Sequence, residues 1–216
     1  KAYVKCADDK SISTSQMSNY LRQKQNTEIF GFWKLQLHIY NTAPADTTTK
    51  ANKRLAINAH KMGEAPVIYD EQLTKVSIRQ LEQQMNNMGY FHAKVDTQKV
   101  YKDKKINLTY LITANQPYKV RKYEVNVPSE AISTIAQNDG CKIKIGENFS
   151  VATLDQERER IATIMRNRGY FYFDKTILEY TVDSALRTNE VDIELQFAPY
   201  VDAMDSIEQR RLHRQY

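Results

Sequence analysis

MNNMGYF at residues 85–91 returns as MRNRGYF at residues 165–171, and the reading of this pair decides the fold. Met85 and Met165, Asn87 and Asn167, and the runs Gly89-Tyr90-Phe91 and Gly169-Tyr170-Phe171 are identical. A helix-like pattern precedes each copy, and alternating residues follow it. Each glycine therefore stands where a helix stops, in a left-handed conformation that only glycine takes without steric cost. The tyrosine and phenylalanine then open a strand that turns back over the helix just left. Such a corner, repeated at domain spacing, means two copies of one small module.

Working outward, Ile78, Leu81, Met85 and Met88 form one helical stripe, with Ser77 and Gln80 as its capping box. Leu154, Ile161, Ile164 and Met165 form the second stripe, with Thr153 and Gln156 as the box. After the first corner Phe91, Ala93 and Val95 alternate with polar residues. The turn Lys102–Lys105 then leads into Ile106, Leu108, Tyr110 and Ile112, the other limb of a hairpin. After the second corner, Phe171, Phe173 and Ile177 are placed on one strand, and Val191, Ile193, Leu195 and Phe197 on the last. Each half also opens on a strand (residues 2–6 and Tyr118–Val127) followed by a short helix, near Met17–Leu21 and over Ser129–Gln137.

The order is strand–helix–helix–strand–strand, twice: an α+β fold of two tandem modules. We place the first over 1–115, with an insertion at about 24–62, and the second over 116–200. Residues 201–216 are expected to link to a following module. Inside the insertion, Trp33, Leu35, Leu37 and Ile39 alternate, so Phe32–Tyr40 predicts a strand or extended segment. Asn41–Thr49 predicts a mobile loop, and Lys50–Met62 a helix ended by Gly63. The cluster Phe30, Phe32 and Trp33 either forms a docking surface or pads the first core, and padding is the expectation.

Composition narrows the function classes. Of 216 residues, 41% are apolar and 26% charged, outside the disordered range. The net charge of +5 is spread without a basic run of five, so no nucleic-acid partner is expected. No apolar run approaches the ~20 residues of a spanning helix. The first residue is Lys1, and we expect a trimmed piece of a longer protein, from which an export signal or anchor could have been removed. Cys6 and Cys141 fall in different modules and read as free thiols.

No catalytic constellation emerges. His38, His60, His92 and His213 stand apart from any ligand spacing, so no metal and no cofactor are expected. Cys141 lies beside Lys142 and Lys144, which could activate a thiol, but a small apolar residue opening a strand is the preferred reading. Asp155, Glu157 and Glu159 alternate with Arg158 and Arg160 and read as a solvated helix face. The six glycines never cluster into a phosphate loop. The chain does not read as an enzyme.

Twice-repeated element order with Gly-Tyr-Phe closing the second helix resembles the POTRA domain, the polypeptide-transport-associated module. GEAPVIYD (63–70), LRQKQN (21–26) and DQERERIATIMRNRGYFYF (155–173) are similar to the amino-terminal arm of BamA/TamA-like outer-membrane assembly proteins of Bacteroidetes type, the bacterial surface antigen family. The resemblance implies a three-stranded sheet covered on one face by two helices, at the periplasmic face of the outer membrane. It implies a membrane β-barrel downstream, and as partners unfolded outer-membrane polypeptides or accessory lipoproteins. In this family the strand after Gly-Tyr-Phe is a sheet edge, which here means Tyr90–Tyr101 and Tyr170–Val182. Phe91, Ala93, Val95, Phe171, Phe173 and Ile177 are then the candidate partner-binding residues. Gly89, Tyr90, Gly169 and Tyr170 form the structural motif. Proline at Lys94 or Glu179 would test the edges. An interaction module of a division or secretion-system transporter, or a basic nucleic-acid binder, are the alternatives.

Overall fold

The computed structural model describes residues 1–198 apart from 31, 32, 104, 139 and 185–187. Phe32, the closing Pro199-Tyr200, His213 and the expected linker 201–216 lie outside the described residues. In chain order the elements are β1 (Ala2–Cys6), α1 (Thr14–Ser18), α2 (Leu35–Asn41), α3 (Lys50–Met62), α4 (Glu71–Asn87), β2 (Lys94–Lys102) and β3 (Lys105–Thr113). There follow β4 (Lys119–Asn126), α5 (Glu130–Ala136), α6 (Val151–Asn167), a 3₁₀ turn (Lys175–Ile177), β5 (Leu178–Asp183) and β6 (Glu190–Phe197). The fold is α+β, with two three-stranded sheets ordered β1-β3-β2 and β4-β6-β5. Lys1–Glu82 with Lys94–Thr113 make one compact unit; Gln83–Ala93 with the described residues from Ala114 onward make the other.

Both sheets follow one plan. The opening strand joins the centre in parallel, Ala2 opposite Leu108 and Lys119 opposite Glu190. The hairpin partner joins antiparallel, Lys102 opposite Lys105 and Asp183 opposite Asp192. Central strands alternate as a half-buried sheet must: Leu108, Tyr110 and Ile112 are buried on β3, and Val191, Ile193 and Leu195 on β6. In the second unit Ile132, Ile135 and Ala136 of α5 and Ile161 and Met165 of α6 cluster with Leu178 and Leu195.

Several local expectations are overturned. From Leu35 the segment expected to be extended is the helix α2 (Leu35–Asn41), which also takes the first residue of the expected loop. Leu35, Leu37 and Ile39 are each half-buried, and Tyr40 stacks on His60 of α3 at 4.4 Å. An alternation this short fits a helix wrapped by neighbours as well as it fits a strand. Neither capping box caps. α4 begins six residues before Ser77, where Asp70 Oδ1 accepts from the N–H groups of Gln72 (2.7 Å) and Leu73 (3.2 Å). α6 begins at Val151, with Ser150 as its cap position. α3 keeps its expected bounds: Thr49 caps it through the Asn52 N–H at 3.2 Å, and it ends at Gly63.

Candidate functional site

The two corners share their backbone chemistry. Gly89 has φ +89° and Gly169 φ +101°, left-handed values that close each helix. The Tyr90 N–H then reaches back to the Met85 carbonyl at 2.9 Å, and the Tyr170 N–H to Met165 at 3.2 Å. This six-to-one bond is the Schellman closure, and it explains the conserved spacing inside the repeat: methionine carbonyl, left-handed glycine, tyrosine N–H. Met85 and Met165 are also buried.

Beyond the backbone the corners diverge. Phe91 meets the Tyr118 ring edge-on at 4.8 Å and the Phe149 ring at 5.5 Å. The Tyr118 N–H donates to the Gly89 carbonyl at 2.9 Å, and the Tyr118 hydroxyl meets His92 Nε2 at 2.9 Å. At the other corner Phe171 is 79% exposed and Tyr172 fully so. Only Phe173 and Tyr170 turn in to pack on the helix–sheet core.

Strand placement of the candidates needs correcting. Phe91 and Ala93 sit in the turn before β2, closed by the Ala93 N–H on the Tyr90 carbonyl at 3.1 Å; Val95 alone lies on the strand, its side chain buried. Phe171 and Phe173 also precede their strand. Ile177 ends a 3₁₀ turn that Asp174 caps through the Thr176 N–H at 2.9 Å. The strands themselves are edges in both sheets.

Hydrogen-bond alternation identifies which backbone groups face outward. In an antiparallel pair every second residue turns its N–H and C=O away from its partner. Lys102 and Lys105 close the hairpin, so Thr97, Lys99 and Tyr101 point away from β3. Val95, which shares their parity, donates its N–H outward to Glu82 Oε1 at 3.4 Å. In the second sheet the Ala198 N–H donates to the Ile177 carbonyl at 2.8 Å, which turns Leu178, Tyr180 and Val182 outward. The Leu178 N–H is taken by the Lys175 carbonyl and its carbonyl accepts from Arg158 Nη1 at 3.4 Å, so the rim here rests on Tyr180 and Val182. The opposite rim there, at β4, is partly sealed: the Val120 N–H meets Glu147 at 2.9 Å and the Phe149 N–H meets Tyr118 at 2.8 Å. Lys94 and Glu179 have the inward parity, so proline at either would damage the sheet itself.

The segments 21–26 and 63–70 meet in the first unit through side-chain amides. Asn26, buried, donates to the Ala65 carbonyl (2.7 Å) and accepts from the Val67 N–H (3.1 Å), as a neighbouring strand would. Gln23 holds the Ile68 carbonyl and the Asp70 N–H in the same way. The Arg22 N–H donates to Ser77 Oγ at 2.9 Å, which ties this frame to α4 and gives Ser77 its real role. Padding does not describe the insertion's aromatics: Phe30 is 84% and Trp33 51% exposed. Beside them Glu28 pairs with Lys1 Nζ at 3.1 Å and Lys34 Nζ at 3.7 Å, and its carboxyl is held below the ordinary range chiefly by the Lys1 hydrogen bond.

A second buried group escaped the sequence reading. Glu157 is fully buried, not solvated; Oε2 accepts from the Lys142 N–H and Arg160 Nε, both at 2.9 Å, and Oε1 from Arg160 Nη2 at 2.6 Å. The signal lay in the stripe itself, which skips from Leu154 to Ile161 and so leaves one inward position to be filled. Nearby, burial pushes the Cys141 thiol up from its usual pKa, with its Sγ donating to the Ile143 carbonyl at 3.4 Å. The flanking lysines therefore do not activate it. Native Cys141 is expected to alkylate with iodoacetamide at neutral pH at least about tenfold more slowly than in the unfolded chain; equal rates would show an accessible thiolate. Among the described residues no group of three or more His, Cys, Asp and Glu could hold a metal, and no helix is long and apolar enough to cross a membrane.

Comparison with known proteins adds the family. The POTRA model, described as surface antigen variable number repeat, matches residues 8–115, half of the chain. No curated protein matches. Among solved structures, BamA from Haemophilus ducreyi lacking POTRA domains 1-3 is 18% identical, with a TM-score of 0.37 over 70% of this chain and 27% of that one. POTRA1-2 of the periplasmic domain of Omp85 from Anabaena is 9% identical, with a TM-score of 0.34 over 90% and 91% of the two chains. POTRA3-5 of Haemophilus influenzae BamA is 11% identical, with a TM-score of 0.31 over 91% and 94%. The match over 8–115 includes the first corner and its hairpin, and on it this chain belongs to the POTRA family.

Proposed function

We propose that this chain is a non-enzymatic periplasmic scaffold of an outer-membrane protein assembly or translocation factor. It comprises modules over 1–115 and 116–200, and 201–216 leads toward a further module or the membrane β-barrel. Unfolded outer-membrane polypeptides or accessory lipoproteins are held as added strands on β2 and β5. One observation carries this reading: in both sheets the strand after Gly-Tyr-Phe is a rim whose outward N–H and C=O groups suit pairing with an extended chain. Backbone pairing tolerates many sequences, as a scaffold for varied clients requires.

Thr97→Pro tests it. The substitution removes an outward N–H on β2 while leaving the β3 ladder intact. It should weaken binding of a urea-unfolded outer-membrane barrel polypeptide by about fivefold or more, measured by titration of backbone amide resonances, with the circular dichroism spectrum unchanged. Unaltered affinity in a folded variant would remove β2 from the reading.

A further inference from the structure

A groove of about 960 Å³ opens in the first unit, between the clamped segments 23–28 and 66–69, helix α2, and the hairpin end of the sheet. Trp33, Val67, Ile68 and Tyr101 line it, and all four are exposed, Ile68 at 83%. The walls are fixed in place by the Asn26 and Gln23 amides. Exposed aliphatic and aromatic side chains gathered on a fixed concave frame mark a contact surface.

The charge on this groove is one-sided. Lys1, Lys24, Lys34 and Lys105 line it against a single carboxylate, Glu28. Glu28 is already shared by Lys1 and Lys34, and Lys24 and Lys105 make no ion pair among the described residues. An incoming chain must therefore bring negative charge to the rim and apolar side chains to the floor. Trp33 and Tyr101 can stack on a nucleobase as well as on an apolar side chain, but Val67 and Ile68 suit an aliphatic side chain alone, which favours a polypeptide. We infer that this groove binds an acidic polypeptide segment that carries apolar anchors, at a site that touches the β2 rim only at Tyr101 and leaves Thr97 outside it.

Trp33 is the chain's single tryptophan, so its emission reports on the groove alone. The probe is a synthetic octapeptide of alternating Glu and Leu, titrated into the whole chain. Three comparisons accompany it: the same peptide with Lys for Glu, one with Ser for Leu, and an oligothymidylate of equal charge. The Glu/Leu peptide should shift Trp33 emission to the blue, less so as salt is raised. Lys24→Glu with Lys105→Glu should raise its Kd at least about tenfold, since like charge would now face the peptide. Both lysines are exposed, so circular dichroism should show the variant folded. Thr97→Pro should leave this response intact, which separates failure of the groove from failure of the rim. An equal response to the Lys peptide, the Ser peptide or the oligonucleotide would overturn the inference. So would indifference to the charge reversal, no shift with the Glu/Leu peptide, or a shift that grows with protein concentration alone, the mark of a second copy.

Discussion

Glu157→Ala is expected to cost the second unit about 3–5 kcal/mol, measured by urea denaturation followed by circular dichroism. Glu157 is the hub that joins α6 to the turn after α5. Its two oxygens take the Lys142 N–H and both forks of Arg160, while Arg160 Nη2 also donates to the Ile135 carbonyl at 2.7 Å and Nη1 to Asn138 at 3.2 Å. Removing the carboxylate leaves a largely buried guanidinium without its counter-charge and the Lys142 N–H without an acceptor. Both penalties are larger than the net worth of the intact pair, because burial had already removed the solvation of each group. The double replacement Glu157→Leu with Arg160→Met should therefore recover the part due to the uncompensated guanidinium, but not the part due to the Lys142 N–H, which stays without its acceptor. A single-mutant cost under about 1 kcal/mol would mean that water reaches the pair.

The second large effect separates two glycines that look equivalent. Gly89→Ala should cost about 3 kcal/mol or more, and Gly169→Ala only about 1–2 kcal/mol. Both hold left-handed backbone, so both pay the steric strain of an added Cβ. At Gly89 that Cβ would also sit 2.6 Å from the Phe149 carbonyl oxygen, a backbone atom that cannot swing aside, and shifting it would disturb the Tyr118 hydrogen bond to Gly89. At Gly169 nothing lies within 4 Å. Comparable destabilisation of the two variants, read from their urea midpoints, would show that conformational strain dominates and that the close approach relaxes.

Much of this fold was legible because its signals are local and doubled. Gly89 and Gly169 mark helix ends for a reason any glycine shares, and the period-two runs on β3 and β6 have one buried face. What failed had two physical readings. Ser77-x-x-Gln80 and Thr153-x-x-Gln156 carry the capping pattern, yet each sits inside a helix; Ser77 is buried and its hydroxyl serves Arg22 and the Leu73 carbonyl instead. Glu157 was masked by the charges beside it, since alternating signs normally mean a wet face. The strand after each corner was drawn too early, because Phe91 and Phe171 have strand propensity but occupy turns closed by backbone bonds that no side-chain pattern encodes. The parity of the rims, on which the binding test depends, emerges only from register.

Register has a consequence for the order of assembly. Ala2 must find Leu108, and Lys119 must find Glu190, so each sheet closes on a strand made long after its parallel partner. The insertion lengthens the first of these loops by about half, a loop-closure cost of only about 0.4 kcal/mol. Time is the larger matter. Whether the ribosome or an export channel delivers the chain, β1 arrives about 100 residues ahead of the β3 strand that receives it. Throughout that interval β1 is itself an unpaired extended segment, the same kind of object that the finished scaffold is proposed to hold.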